Sequence, residues 1–117
     1  MGMARIVVAD NDPDALDLAL TDLGLEGHEV YGAPDAASAE VLVESVSPDV
    51  VVLDYRMPPG ENGLDLAERL VATHAGLRVV IYSNYQATAL RARAAALGIP
   101  FLAKGNLQAL RSAVTRR

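Results

Sequence analysis

Val50-Val51-Val52-Leu53-Asp54-Tyr55-Arg56-Met57-Pro58-Pro59 is the stretch that decides the fold. Four apolar residues in a row, three of them β-branched, read as a strand buried on both faces. A carboxylate closes the run. Two prolines and Gly60 then stop regular structure. In an open parallel sheet, ligands bind beyond the carboxyl ends of the strands. Asp54 is therefore placed for chemistry.

On the N-terminal side, Arg5-Ile6-Val7-Val8-Ala9 reads as a second short apolar strand, ending at Asp10. Pro13 suits the first turn of a helix, and the acids around it complement the positive end of the helix dipole. Ala15, Leu16, Ala19, Leu20 and Leu23 recur at helical spacing. Glu29-Val30-Tyr31-Gly32 alternates in polarity, as an edge strand does. A helix is expected over 36–45, with Ala39, Leu42, Val43 and Val46 inward. On the C-terminal side, Asn62 and Asp65 form a capping-box pattern. The helix it opens carries a stripe of Leu64, Ala67, Leu70 and Val71. Val79-Val80-Ile81-Tyr82 is a buried strand ending at Ser83. Residues 86–97 are alanine-rich and helical, Phe101-Leu102-Ala103 is a short strand ending at Lys104, and 107–115 form a last helix. Five strands alternating with five helices predict one α/β domain over 1–117, a parallel sheet covered on both faces. Met1-Gly2-Met3 precede the first strand and are expected outside the fold.

Composition narrows the function. The 117 residues carry a net charge of −5 with a pI of about 4.8, which disfavours direct nucleic-acid binding, since phosphate contacts need clustered cations. No cysteine is present, so disulfides and thiolate metal sites are ruled out. No apolar run approaches the roughly 20 residues of a membrane span. A reducing, cytoplasmic setting is expected. The arginines at 91, 93, 111, 116 and 117 read as solvated helix faces, with a partner surface on the last two helices as the alternative.

Polar side chains recur at strand ends: Asp10, Asp54, Ser83 and Lys104. The Glu29 strand ends in Gly32-Ala33-Pro34 and offers no reactive group. With that strand at the edge, the four polar ends lie side by side. Two close carboxylates repel each other unless a cation intervenes, and Mg²⁺ typically takes one or two carboxylates plus phosphate oxygens. A carboxylate can accept a phosphoryl group, giving an aspartyl phosphate. A fixed cation, a hydroxyl donor and a metal ion are natural partners for the charge on that group.

With these residues in view, the chain resembles the receiver domains of bacterial two-component response regulators over essentially its whole length. "VVADNDPDAL", "DVVVLDYRMPPGENGLDL", "VVIYSN" and "GIPFLAKG" carry the likeness by their order and spacing. The resemblance implies a flavodoxin-like sheet in the order 2-1-3-4-5 with five helices on both faces. It implies Asp54 as phosphoacceptor, and Mg²⁺ held by Asp10, Asn11, Asp54 and the Arg56 backbone carbonyl. Ser83 and Lys104 would contact the phosphoryl group, and Ser83 with the aromatic Phe101 would form the switch. The implied partners are a sensor histidine kinase or phosphotransfer protein and a downstream protein. The fourth helix, fifth strand and fifth helix would be the responsive face of a monomer or weak homodimer.

Three positions depart from the family pattern. Asn11 stands where a second acid is usual, which predicts weaker Mg²⁺ binding, with Asp12 as a partial substitute or simply a helix cap. Gly105 stands where proline usually follows the lysine, which predicts a less constrained Lys104. The loop over 58–63 is one residue longer than usual. Arg56 and Tyr85, each two residues beyond a site position, are expected to restrict attacking water. Two other readings stay open. One is a pseudo-receiver that binds partners without phosphorylation. The other is a haloacid-dehalogenase-like phosphatase using Asp10 of Asp10-Asn11-Asp12, although no acid follows Lys104.

Overall fold

The computed structural model describes residues 3–115. Arg116 and Arg117, read above as part of a solvated face, lie outside the described residues, as do Met1 and Gly2. The elements run β1 (Arg5–Ala9), α1 (Pro13–Leu25), β2 (Glu29–Ala33), α2 (Ala36–Val46), β3 (Val50–Leu53), α3 (Gly63–Thr73), β4 (Arg78–Ser83), α4 (Thr88–Ala96), β5 (Phe101–Ala103) and α5 (Leu107–Thr115). All strand pairs are parallel and the order is β2-β1-β3-β4-β5. The flavodoxin-like arrangement expected from the sequence is the one found.

The strands carry the core on both faces, because side chains alternate sides along each one. Val7, Ala9, Val51, Leu53, Val79 and Ile81 pack with α2, α3 and α4. Ile6, Val8, Val50, Val52, Val80 and Tyr82 pack with α1 and α5. All four residues of β3 are fully buried, each contributing about 1.5–3 kcal/mol relative to exposure. The alternating β2 is the edge strand, and its burial is correspondingly thinner.

Register places the site. Ala9 pairs with Leu53, and Leu53 with Ile81. The residues that follow therefore emerge together at one edge of the sheet. The ladder runs one step further, the Asp54 amide donating to the Ala9 carbonyl at 3.0 Å and the Asp10 amide to the Ala33 carbonyl at 3.0 Å.

The N-terminus of α3 closes tightly on the end of β3. Asn62 caps it, its Oδ1 accepting the Asp65 amide at 2.8 Å, and the Gly63 amide donates to the Tyr55 carbonyl at 2.7 Å. A Cβ at position 63 would sit 1.9 Å from the Asp54 carbonyl oxygen, so only glycine fits. Two helix details differ from expectation. Leu66, not Val71, completes the inward stripe of α3, and Val71 is 36% exposed. Helix α4 begins at Thr88, because the Gln86 side chain turns back to donate to the Ser83 carbonyl at 2.8 Å.

Candidate functional site

Lys104 reaches back from the end of β5 to the two carboxylates. Its Nζ lies 2.8 Å from Asp10 Oδ2 and 3.1 Å from Asp54 Oδ2. The three side chains are only 13%, 5% and 8% exposed, in the order Lys104, Asp10, Asp54. The ammonium thus does in part what a metal ion was expected to do, separating two carboxylates that would otherwise repel. Burial works against the charge on Lys104. Its bonds to the two acids and their charges outweigh burial, and its pKa is raised. Asp10 is raised as well, first by burial and further by the Asp54 charge, against the pull of Lys104 and the Asp12 amide.

The two acids are not equivalent. Both Asp10 oxygens are engaged, Oδ2 by Lys104 and Oδ1 by the Asp12 amide at 2.9 Å. Asp54 uses only Oδ2, and its Oδ1 has no protein partner among the described residues. No fully buried side-chain oxygen there lacks a partner, so Oδ1 keeps access to solvent.

Ser83 is buried at the adjacent strand tip but does not touch Asp54. Its Oγ accepts the Tyr85 amide at 3.1 Å, and its carbonyl accepts the Lys104 amide at 3.1 Å. Its own hydroxyl proton remains available for donation. Phe101 is half-buried against the α2–α4 side of the core, with the Arg91 guanidinium 5.7 Å from its ring. Asn11 is exposed. Asp12 is the α1 cap, its Oδ1 accepting the Asp14 amide at 3.1 Å. Arg93 and Arg111 are not a free basic surface. Arg93 pairs with Asp65 and Glu68, and Arg111 with Asp22.

Three features were not foreseen. Tyr55 stacks on Tyr85 with ring centres 5.6 Å apart, and the Arg56 guanidinium lies 3.9 Å from the Tyr85 ring centre. This cluster ties the loop after β3 to the loop after β4. The Gly105 amide donates to the Tyr82 hydroxyl at 2.9 Å, so the turn expected to be loose is anchored. The signal for that bond was present in the sequence: a tyrosine in a buried strand needs a partner for its hydroxyl.

No group of three or more His, Cys, Asp or Glu gathers among the described residues. The donor set nevertheless suits a hard divalent cation, because Mg²⁺ needs only one or two carboxylates beside water and phosphate oxygens. Two buried carboxylates facing one ammonium also leave an excess of one negative charge at the site.

Comparison with known proteins agrees with the fold. The chain is 34% identical over 77 residues to the DNA-binding response regulator MtrA of Mycolicibacterium smegmatis, covering 66% of this chain and 33% of that protein. It is 34% identical over 92 residues to the positive alginate biosynthesis regulatory protein of Pseudomonas aeruginosa, covering 75% and 36%. The chain thus spans about a third of the length of these relatives. Among solved structures, the signal receiver domain of NarL from Mycobacterium tuberculosis matches over 100% of both chains, with TM-score 0.84 and 29% identity. TrrA from Thermotoga maritima, solved in complex with Mg²⁺ and beryllofluoride, matches over 96% of both chains with TM-score 0.84 and 26% identity. The family model for the response regulator receiver domain matches residues 6–115, and the chain belongs to that family.

Proposed function

We propose that the domain accepts a phosphoryl group on Asp54 from a phosphohistidine of a sensor kinase or phosphotransfer protein. The contrast between the two carboxylates carries this reading: Asp54 Oδ1 is free to attack, whereas both Asp10 oxygens are held. Oδ1 attacks phosphorus, a P–O bond forms, and the donor's P–N bond breaks. The leaving imidazole takes up a proton. The product is an acyl phosphate.

Lys104 already stands at the acid and would pair with a phosphoryl oxygen as charge builds there. Ser83 would donate its hydroxyl proton to the group and, in turning, weaken its contact with the Tyr85 amide. Phe101 stands on β5 beside Arg91 of α4, so that movement would reach a downstream protein at the α4–β5 surface. Asp10, Asp54 and the Arg56 carbonyl would hold Mg²⁺, with Asn11 as a neutral neighbour. The ion would supply countercharge for the phosphoryl oxygens. MtrA is named a DNA-binding response regulator, and the match covers 33% of it; with a net charge of −5, this domain is itself poorly suited to contact DNA.

Incubation with Mg²⁺ and acetyl phosphate, read by intact mass, tests this. One phosphoryl adduct is expected in the unaltered protein and none in Asp54→Asn. An adduct that survives Asp54→Asn but disappears in Asp10→Asn would move the chemistry to Asp10. No adduct under any condition would leave a pure binding module.

A further inference from the structure

The turn after β5 is built in an unusual way. Gly105 takes φ +99°, a conformation that side-chain-bearing residues rarely adopt, yet a Cβ there would meet nothing within 4 Å. The backbone shape, not a lack of room, therefore calls for glycine. In that shape the Gly105 amide donates to the Tyr82 hydroxyl at 2.9 Å. The Tyr82 ring is 5% exposed and packs in the core with α1 and α5, beside Leu110 and Ala113. On the other side of Lys104, its own amide donates to the Ser83 carbonyl at 3.1 Å. Consecutive residues of β4 thus grip consecutive amides around the only lysine in the chain. A lysine stem is long and flexible, and a fixed Cα is what lets its ammonium meet two acids at once.

We infer that Tyr82 is a positioning residue for Lys104, its hydroxyl anchoring Gly105 so that the ammonium is set between Asp10 and Asp54. The inference rests on the reading of Lys104 as the phosphoryl group's partner, but its structural half can be measured without any phosphorylation.

The test is Tyr82→Phe in the full chain, which keeps the ring and removes the acceptor. Lysine-selective ¹³C labelling reports Lys104 alone. In the unaltered protein its two ε-methylene protons should have distinct shifts. In Tyr82→Phe they should converge, the Gly105 amide should move, and adduct formation from acetyl phosphate should slow about two- to tenfold, the loss of one net hydrogen bond. A Lys104 signal unchanged by Tyr82→Phe overturns the inference, whatever the rate does. If the unaltered protein forms no adduct, the phosphorylation reading fails, and the Lys104 signal still decides the positioning role. If Tyr82→Phe does not fold, hydrogen exchange at Gly105 in the unaltered protein decides: protection supports the anchor, and free exchange overturns it.

Discussion

Lys104 holds Asp10 more closely than Asp54, at 2.8 Å against 3.1 Å, so the acid with no free oxygen is also the one that fixes the ammonium. Removing the lysine leaves two buried carboxylates facing each other. We expect Lys104→Met to cost about 2–4 kcal/mol at pH 7 in metal-free buffer, since breaking a buried charge pair strands its partner. The sign of the pH effect follows from Asp10. Its folded pKa is raised above 3.8, so the folded state binds the extra proton. Stability therefore declines as pH rises from the ordinary carboxylate value through the raised one. The penalty in Lys104→Met should shrink on acidification and be largely relieved by adding Asp10→Asn. Urea unfolding of the single and double variants between pH 4 and 7 measures it; a penalty independent of pH would refute the charge explanation.

Gly63 predicts a second effect. A methyl group at this position would collide with the Asp54 carbonyl oxygen at 1.9 Å, and that atom is backbone in a buried strand end. Gly63→Ala should destabilise by about 2 kcal/mol or more, because neither α3 nor β3 can give way cheaply. The same shift would move Asp54 relative to Lys104, so the adduct should also form more slowly. Denaturation midpoints together with adduct rates check both halves.

The strand tips were legible because buried β-branched runs and single polar residues make a strong pattern. Asp10, Asp54, Ser83 and Lys104 could all be placed at one sheet edge from it. The start of α4 was not, because the Gln86 bond to the Ser83 carbonyl depends on a loop conformation that periodicity does not encode. Val71 was misplaced for a similar reason. Leu66 lies four residues before Leu70, and Val71 lies four residues after Ala67, so periodicity alone leaves the edge of the stripe ambiguous. Gly105 was read by itself as a loosening. Its anchor is Tyr82, 23 residues earlier, and pairs brought together by neighbouring strands are invisible until the register is known.

The aromatic cluster beside the site bears on how long a phosphoryl group would last. Arg56 and Tyr85 touch each other at 3.9 Å, and Tyr55 stacks on the same ring. Arg56 and Tyr85 are both exposed, and a cation–π contact at an exposed site is worth about 0.5–1 kcal/mol. Arg56→Ala and Tyr85→Ala should each shorten the adduct lifetime severalfold. The double variant should add little, because either truncation already breaks the shared contact. Decay followed by intact mass after the donor is removed gives the lifetimes, and equal values in all four proteins would exclude a shielding role.

Arg111 joins the two helices that cover one face of the sheet. Its Nε and Nη2 reach both oxygens of Asp22 at 2.9 and 2.5 Å, linking α5 to α1. The guanidinium bond first, with its charge, holds the Asp22 carboxyl below 3.8 against burial. A depressed acid contributes stability above its ordinary pKa and loses it as pH falls through the folded value. The Arg111 side chain is 42% exposed, so solvent screens the pair and its contribution is small. Arg111→Ala should therefore lower the melting temperature by a few degrees at pH 7 and low salt. The difference from the unaltered protein should narrow in high salt and again as pH falls from 3.8 through the depressed folded value, where Asp22 protonates. Thermal unfolding of both proteins across a salt series and an acid series supplies the comparison. A difference constant in both would show that Arg111 acts through packing of its stem rather than through its charge.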